Sequence, residues 1–94
     1  MTRATAIQLV LGELDKAEEK FPTFPTDPIH AAGVVGEESG ELQQAALQWT
    51  YETGDRTHCI KEAIQTAAMA LRFIIAAQDM GPRPSYQVPT DDER

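Results

Sequence analysis

Apolar residues recur at Ile7, Val10, Leu11, Leu14 and Ala17, the i, i+3, i+4, i+7 spacing of a single helix face. Thr2 stands where a side-chain oxygen can cap that helix, and the pattern ends near Lys20. Phe21-Pro22-Thr23-Phe24-Pro25-Thr26-Asp27 cannot continue it, because each proline lacks an amide donor and clashes with the preceding turn. Its two phenylalanines predict a structured loop that packs on the body. Asp27 before Pro28 is a helix start, the carboxylate capping free amides while proline fills the first turn. A second helix is expected from about Pro28 to Glu52, with Ala31, Val35, Leu42, Ala46 and Trp49 along the centre of its apolar face. Gly54 and Asp55 form the next break. A third helix is expected from about Thr57 to Asp79, closed by Gly81 and Pro82. No alternating pattern predicts a strand. The fold class is all-α, a domain over residues 1–80 followed by an extended or disordered tail over 81–94, where two prolines and an acidic end show no periodicity.

Helix three decides the architecture. Ile60, Ile64, Ala67, Leu71 and Ile74 cover one side, Ala63, Ala70, Phe73 and Ala77 much of the other, and Lys61, Gln65 and Arg72 leave a narrow polar strip. A helix apolar nearly all round is buried nearly all round. Two further helices from a short chain cannot enclose it. Three helices per chain are therefore expected to complete a bundle by homo-oligomerisation, as a homodimer or a dimer of dimers. The alternative is a monomer whose prolyl loop and tail cover the open side.

At 94 residues the chain fits one domain. No run of about 18 apolar residues predicts a membrane span, and no basic and apolar leader predicts export. The single cysteine, Cys59, cannot form an internal disulfide and favours a reducing, cytoplasmic setting. A net charge of −7 and the lack of a Lys/Arg cluster argue against a nucleic-acid surface. An acidic protein can still handle nucleotides through a divalent cation that bridges carboxylates and phosphates.

Such carboxylates are present in Glu37-Glu38-Ser39-Gly40-Glu41 on helix two. Glu37 and Glu41 lie one turn apart, and Glu38 and Glu41 are i,i+3 neighbours. At about 6 Å and an effective dielectric near 20, each like-charge pair costs roughly 3 kcal/mol. A solvated acidic face is the simpler reading of such a string. Glu38, however, sits inward, flanked by Val34 and Ala45, where an ionised carboxylate needs a partner or a metal. Helix three offers Glu62 and, three residues on, Gln65, with Met69 on the same stripe. Glu37, Glu38, Glu41 and Glu62 with the Gln65 amide oxygen form a hard-oxygen set suited to Mg²⁺ or Mn²⁺. His30 and His58 do not follow any glutamate by three, as a di-iron bundle would need, and Cys and His are too few for zinc.

G-E-E-S-G-E-L-Q-Q-A on one helix and E-A-I-Q-T-A-A-M-A-L-R-F on the next resemble the MazG-like branch of the all-α nucleoside triphosphate pyrophosphohydrolases, which also include dUTPase-type and dCTP-type enzymes. The likeness spans about residues 5–80. It implies a helical dimer or dimer of dimers that binds Mg²⁺ and hydrolyses a nucleoside triphosphate to monophosphate and pyrophosphate. It also implies metal contacts at Glu37, Glu38, Glu41 and Glu62. Glu38 and Glu41 are the candidate catalytic residues, Glu38 as general base. The chain departs from the family pattern at Gln65, where an Asp is usual; an amide oxygen can coordinate but brings no charge. That leaves a second outcome open, a catalytically weakened oligomer that binds nucleotide or a protein partner without turnover. Lys16, Lys20, Arg56, Lys61 and Arg72 are the cations available to phosphate, and Trp49 or Tyr51 to a base, although Trp49 is also expected in the core.

Overall fold

The computed structural model describes residues 1–81, so the expected tail lies, apart from Gly81, outside the described residues. The described residues form three α-helices, α1 (Arg3–Lys20), α2 (Pro28–Tyr51) and α3 (Arg56–Ala76), and a 3₁₀ turn at Ala77–Asp79. No strand occurs among the described residues. Each helix begins on a side-chain cap: Thr2 accepts from the Thr5 amide, Asp27 from the His30 amide and Asp55 from the His58 amide. The third cap moves the start of α3 to Arg56, one residue ahead of expectation. Asp55 satisfies an otherwise orphaned amide, so the helix begins directly behind it.

Helix α3 is the central element. Helices α1 and α2 each pack along it and barely touch one another. The deepest positions are small: Ala31 and Ala68 are fully buried and Ala45 nearly so, joined by Leu14 and Ala17 from α1. Ala31, Glu38 and Ala45 recur every seven residues, which keeps them on one line down α2. The seam on α3 thus follows 31–38–45, displaced from the expected 35–42–49, and Glu38 stands in the row of the two most buried alanines. Alanines let the helices approach closely, but each methyl contributes only about 0.8 kcal/mol of burial.

Much apolar surface stays open. Ile7, Leu11, Ile60, Ile74 and Ile75 are among the exposed large side chains, and Trp49, expected in the core, is 46 % exposed. The apolar stripes of α1 and α2 run further than the surface α3 can cover, so their ends, Ile7 and Trp49 included, remain in solvent. The radius of gyration is 16.3 Å, against about 12 Å for a compact domain of this length. No helix among the described residues is long and apolar enough to cross a membrane.

Arg72 joins the prolyl loop to this frame. Its side chain, 7 % exposed, donates to the carbonyls of Phe21 and, at 3.3 Å, Thr23, and its guanidinium lies 5.1 Å from the centre of the Phe24 ring. The loop is therefore structured, as its phenylalanines predict. Phe24 is half-buried while Phe21 is 58 % exposed.

The turn after α2 depends on Gly54, whose amide donates to the Gln48 carbonyl at 3.1 Å. A Cβ there would lie 2.8 Å from the Gln48 carbonyl carbon and the Trp49 nitrogen, backbone atoms that cannot rotate away. Gly54→Ala should destabilise the chain by about 1–3 kcal/mol, the usual cost of overpacking. Thermal unfolding followed by circular dichroism reads this directly, and an unchanged melting temperature would show that the turn has slack.

Candidate metal centre

Because α1 and α2 flank α3 without closing on each other, one strip of α3 lies between them, and its middle residues, Gln65 and Met69, line a trough. Glu62, Gln65, Met69 and Arg72 follow each other at three- and four-residue steps along that strip. From α2, Glu38 enters from the seam and Glu41 follows one turn later at the edge. Carboxylate oxygens of Glu38, Glu41 and Glu62 lie within 4.8 Å of one another. Glu62 is 8 % exposed, Glu38 half-buried and Glu41 exposed, so the group runs from interior to solvent.

Of the five expected ligands, three are thus brought together. Gln65 is half-buried and lines the trough beside Glu38. Glu37 is exposed and stands outside the group. One residue before Glu38, it is turned about 100° around the helix.

Glu38 Oε2 and Glu62 Oε2 are buried and have no hydrogen-bond partner among the described residues. A buried carboxylate oxygen left unpaired carries a desolvation cost of several kcal/mol unless it is protonated or finds a cation. Burial, first of all, holds the Glu38 carboxyl above its ordinary value of 4.5; repulsion from Glu41 and Glu62, hydrogen bonding to Glu41 and the charge of Glu37 add to it. Three carboxylates with two orphaned buried oxygens and a nearby amide oxygen fit a hard divalent cation such as Mg²⁺ or Mn²⁺.

His58 was not legible as part of this group. Its Nε2 lies 3.9 Å from Glu62 Oε1. The signal is the His58-x-x-x-Glu62 spacing, which places the two one helical turn apart.

The opposite bank of the trough comes from α1 and the start of the prolyl loop. With Glu38, Gln65 and Met69, the residues Glu13, Lys16, Ala17, Lys20 and Phe21 line about 350 Å³, within the range of small-molecule sites, so this bank carries two ammonium groups and one carboxylate. Lys16 and Lys20 are one turn apart on α1, and neither has a carboxylate within 4.0 Å among the described residues. The Lys20 ammonium lies 5.4 Å from the centre of the Phe21 ring. The other expected cations sit elsewhere: Arg72 is engaged by the loop, Arg56 lies 5.9 Å from the Trp49 ring, and Lys61 lines a separate groove between α1 and α3. Trp49 and Tyr51, the expected base contacts, are exposed at the end of α2 and do not line the trough.

Comparison with protein-family models, with curated proteins and with solved structures gave no match for this chain.

The raised Glu38 value fixes the sign of a pH effect. The folded chain holds this proton more tightly than the unfolded chain, so stability falls as pH rises from 4.5 through the higher folded value, and then levels off. Glu38→Gln should therefore raise the melting temperature of the metal-free protein at neutral pH, and the gain should vanish once the pH is well below 4.5. Melting curves across that range, recorded in chelator, would contradict this if the gain persisted in acid.

Proposed function

We propose that the chain is a Mg²⁺-dependent nucleoside triphosphate pyrophosphohydrolase, giving a monophosphate and pyrophosphate from an NTP or dNTP. The supporting observation is the pair of buried, unpartnered oxygens on Glu38 and Glu62, of which Glu38 lines a trough whose far bank carries Lys16 and Lys20. A carboxylate group on α2 and α3, with two ammonium groups beside Glu13 on α1, suits a substrate that is itself a polyanion carrying a divalent cation. The likeness of the two helical motifs to the MazG-like enzymes points the same way.

Mg²⁺ or Mn²⁺ would be held by Glu38, Glu41 and Glu62, with the Gln65 amide oxygen beside them and Glu37 at the solvent edge. When bound, the cation neutralises phosphate charge and makes water a nucleophile at neutral pH. Glu38, half-buried beside the other two carboxylates, would serve as the base that accepts the proton of the water attacking the α-phosphorus. Glu41, within reach of Glu38, orients its carboxyl. Lys16 and Lys20 draw phosphate oxygens to the trough, and as compact cations on flexible stems they follow the chain of phosphates as it changes shape. A cytoplasmic setting, with nucleotides and Mg²⁺ at hand, suits the single unpaired Cys59. Neither a nucleic-acid partner nor a membrane enters this reading.

The reading includes a second copy of the chain. Ala70, Phe73 and Ile74 of α3 form an open apolar groove with Val35, Gly36 and Ser39 of α2, on the side of α3 turned away from the trough. A Cβ on Gly33, Gly36 or Gly40 would meet nothing within 4 Å in the single chain, which leaves this face of α2 free for close helix approach. Joining two such faces would complete the bundle as a homodimer, itself able to pair into a dimer of dimers. Ile74, 64 % exposed, is a safe probe. Sedimentation should show Ile74→Glu as a folded monomer and the unaltered chain as a dimer or larger; a stable monomer of the unaltered chain would refute the second copy.

Turnover is tested by incubating the protein with Mg²⁺ and a panel of NTPs and dNTPs and measuring pyrophosphate. Release should depend on the cation and fall at least about 100-fold in Glu38→Gln, Glu41→Gln and Glu62→Gln, the upper end of what losing even an outer-sphere metal partner costs. Gln65→Asp, which adds a charge to the donor set, should tighten Mn²⁺ binding. Cation-dependent nucleotide binding without pyrophosphate release would favour the binding module without turnover, which the neutral Gln65 also fits.

A further inference from the structure

Two features of the trough are not needed to hold a cation. Phe21 presents a large apolar ring to solvent at the trough's end, 58 % exposed, in a loop that is otherwise tied down. Arg72 is almost fully buried, yet among the described residues no carboxylate lies within 4.0 Å of it. Its charge is met by two backbone carbonyls, of Phe21 and Thr23, and by the Phe24 ring beneath it. A buried guanidinium without an anion is costly, and here its Nη2 donates to the backbone of the very residue that carries the exposed ring and of Thr23 two residues on. Both bonds come from one nitrogen, Nη2, and the planar guanidinium that carries it rests on the Phe24 ring, a stacking that a compact lysine ammonium does not reproduce.

Glu38 lines the trough from α2, Glu13, Lys16 and Lys20 line it from α1, and the Phe21 ring lines it beside the Lys20 ammonium. A nucleotide laid across the ammonium groups, with its phosphates towards the carboxylates, brings its base to that ring. An aromatic side chain stacks on any base, because every base has a π face.

We propose that Phe21 is the base-stacking residue of the trough and that Arg72 is the positioning residue that holds it there. The ligand is a nucleoside triphosphate, engaged through its base as well as its phosphates. This rests on the proposed metal-dependent nucleotide site. Phe21 takes the place that Trp49 and Tyr51 have in a reading by residue type alone, since both lie away from the trough.

Binding to the full-length chain separates this inference from the reading beneath it. Three probes are compared: Mn²⁺ alone, inorganic tripolyphosphate with Mn²⁺, and the α,β-imido forms of the common deoxynucleoside triphosphates with Mn²⁺. Phe21→Ala should weaken the imido nucleotides about 10-fold and leave Mn²⁺ and tripolyphosphate unchanged. Arg72→Lys should show the same selective loss, and the double variant should lose no more than Phe21→Ala alone, because Arg72 acts through that ring. Phe24→Leu, which removes the ring beneath the guanidinium, offers a second way to loosen the loop should Arg72→Lys fail to fold, with the same selective pattern expected. Equal losses for all three probes would make Arg72 a structural staple and overturn its positioning role. Binding of Mn²⁺ and tripolyphosphate with nucleotide affinity untouched by Phe21→Ala would overturn the inference while sparing the metal site. Failure of Mn²⁺ to bind the unaltered chain would overturn both.

Discussion

The structure is organised by a carboxylate in the wrong place for a helix seam. Ala31, Glu38 and Ala45 occupy one line of α2 against α3, and two of the three are buried methyl groups. Glu38 interrupts that line with a group whose burial raises its proton affinity and leaves one oxygen unpaired. An alanine in its place would pack against α3 without this cost. Because Glu62 brings a second orphaned oxygen to the same place from the facing helix, the two cannot relieve each other while both are charged. Protonation relieves one or the other, whereas a divalent cation would relieve both at once, and the proposed function rests on the second.

The same constraint shapes the fold around it. If α1 and α2 closed over the strip of Glu62, Gln65, Met69 and Arg72, its one carboxylate and one guanidinium, already 8 % and 7 % exposed, would lose their last access to water. They flank α3 and leave the strip between them. Arg72, deepest of the four towards the loop, is satisfied by the carbonyls of Phe21 and Thr23, so the chain segment that cannot be helical serves to neutralise a buried cation. An open trough costs hydrophobic burial, which explains a core built of alanines and one leucine and a single chain that exposes so many large apolar residues.

Most of the fold was legible because its signals are local. Thr2, Asp27 and Asp55 cap helices through contacts three residues away, and two prolines interrupt the pattern where α1 ends. Rotation of α2 about its axis was less legible. Summed apolarity favours a face centred on Val35, Leu42 and Trp49, whereas close approach to α3 favours the smallest residues, and the alanine line prevails because steric fit, not area, fixes the distance between helices. That rotation is what separates Glu37 from Glu38. The acidic group could be read from Glu38, Glu41 and Glu62; His58 and Phe21 could not be read as its neighbours. Phe21 joins the trough only through bonds between Arg72 and carbonyls 49 to 51 residues earlier in the chain, and backbone acceptors leave no mark in a sequence.

Helix α3 has two kinds of environment on one cylinder, and this bears on how a second copy would act. Its trough side carries Glu62 and Gln65; its far side carries Ala63, Ala70 and Ile74. Any shift of α3 that improves packing on the far side also moves Glu62 relative to Glu38, because a helix transmits displacement as a rigid body over its length. A second copy seated on the groove of Phe73 and Ile74 would therefore do more than cover apolar surface. It would restrict the position of α3, and with it the spacing of carboxylates that now lie within 4.8 Å of one another. A core of small side chains resists such motion weakly, having little interlocking volume. Under the proposed function, association and cation binding would then be coupled through α3, each changing the other's affinity by an equal factor.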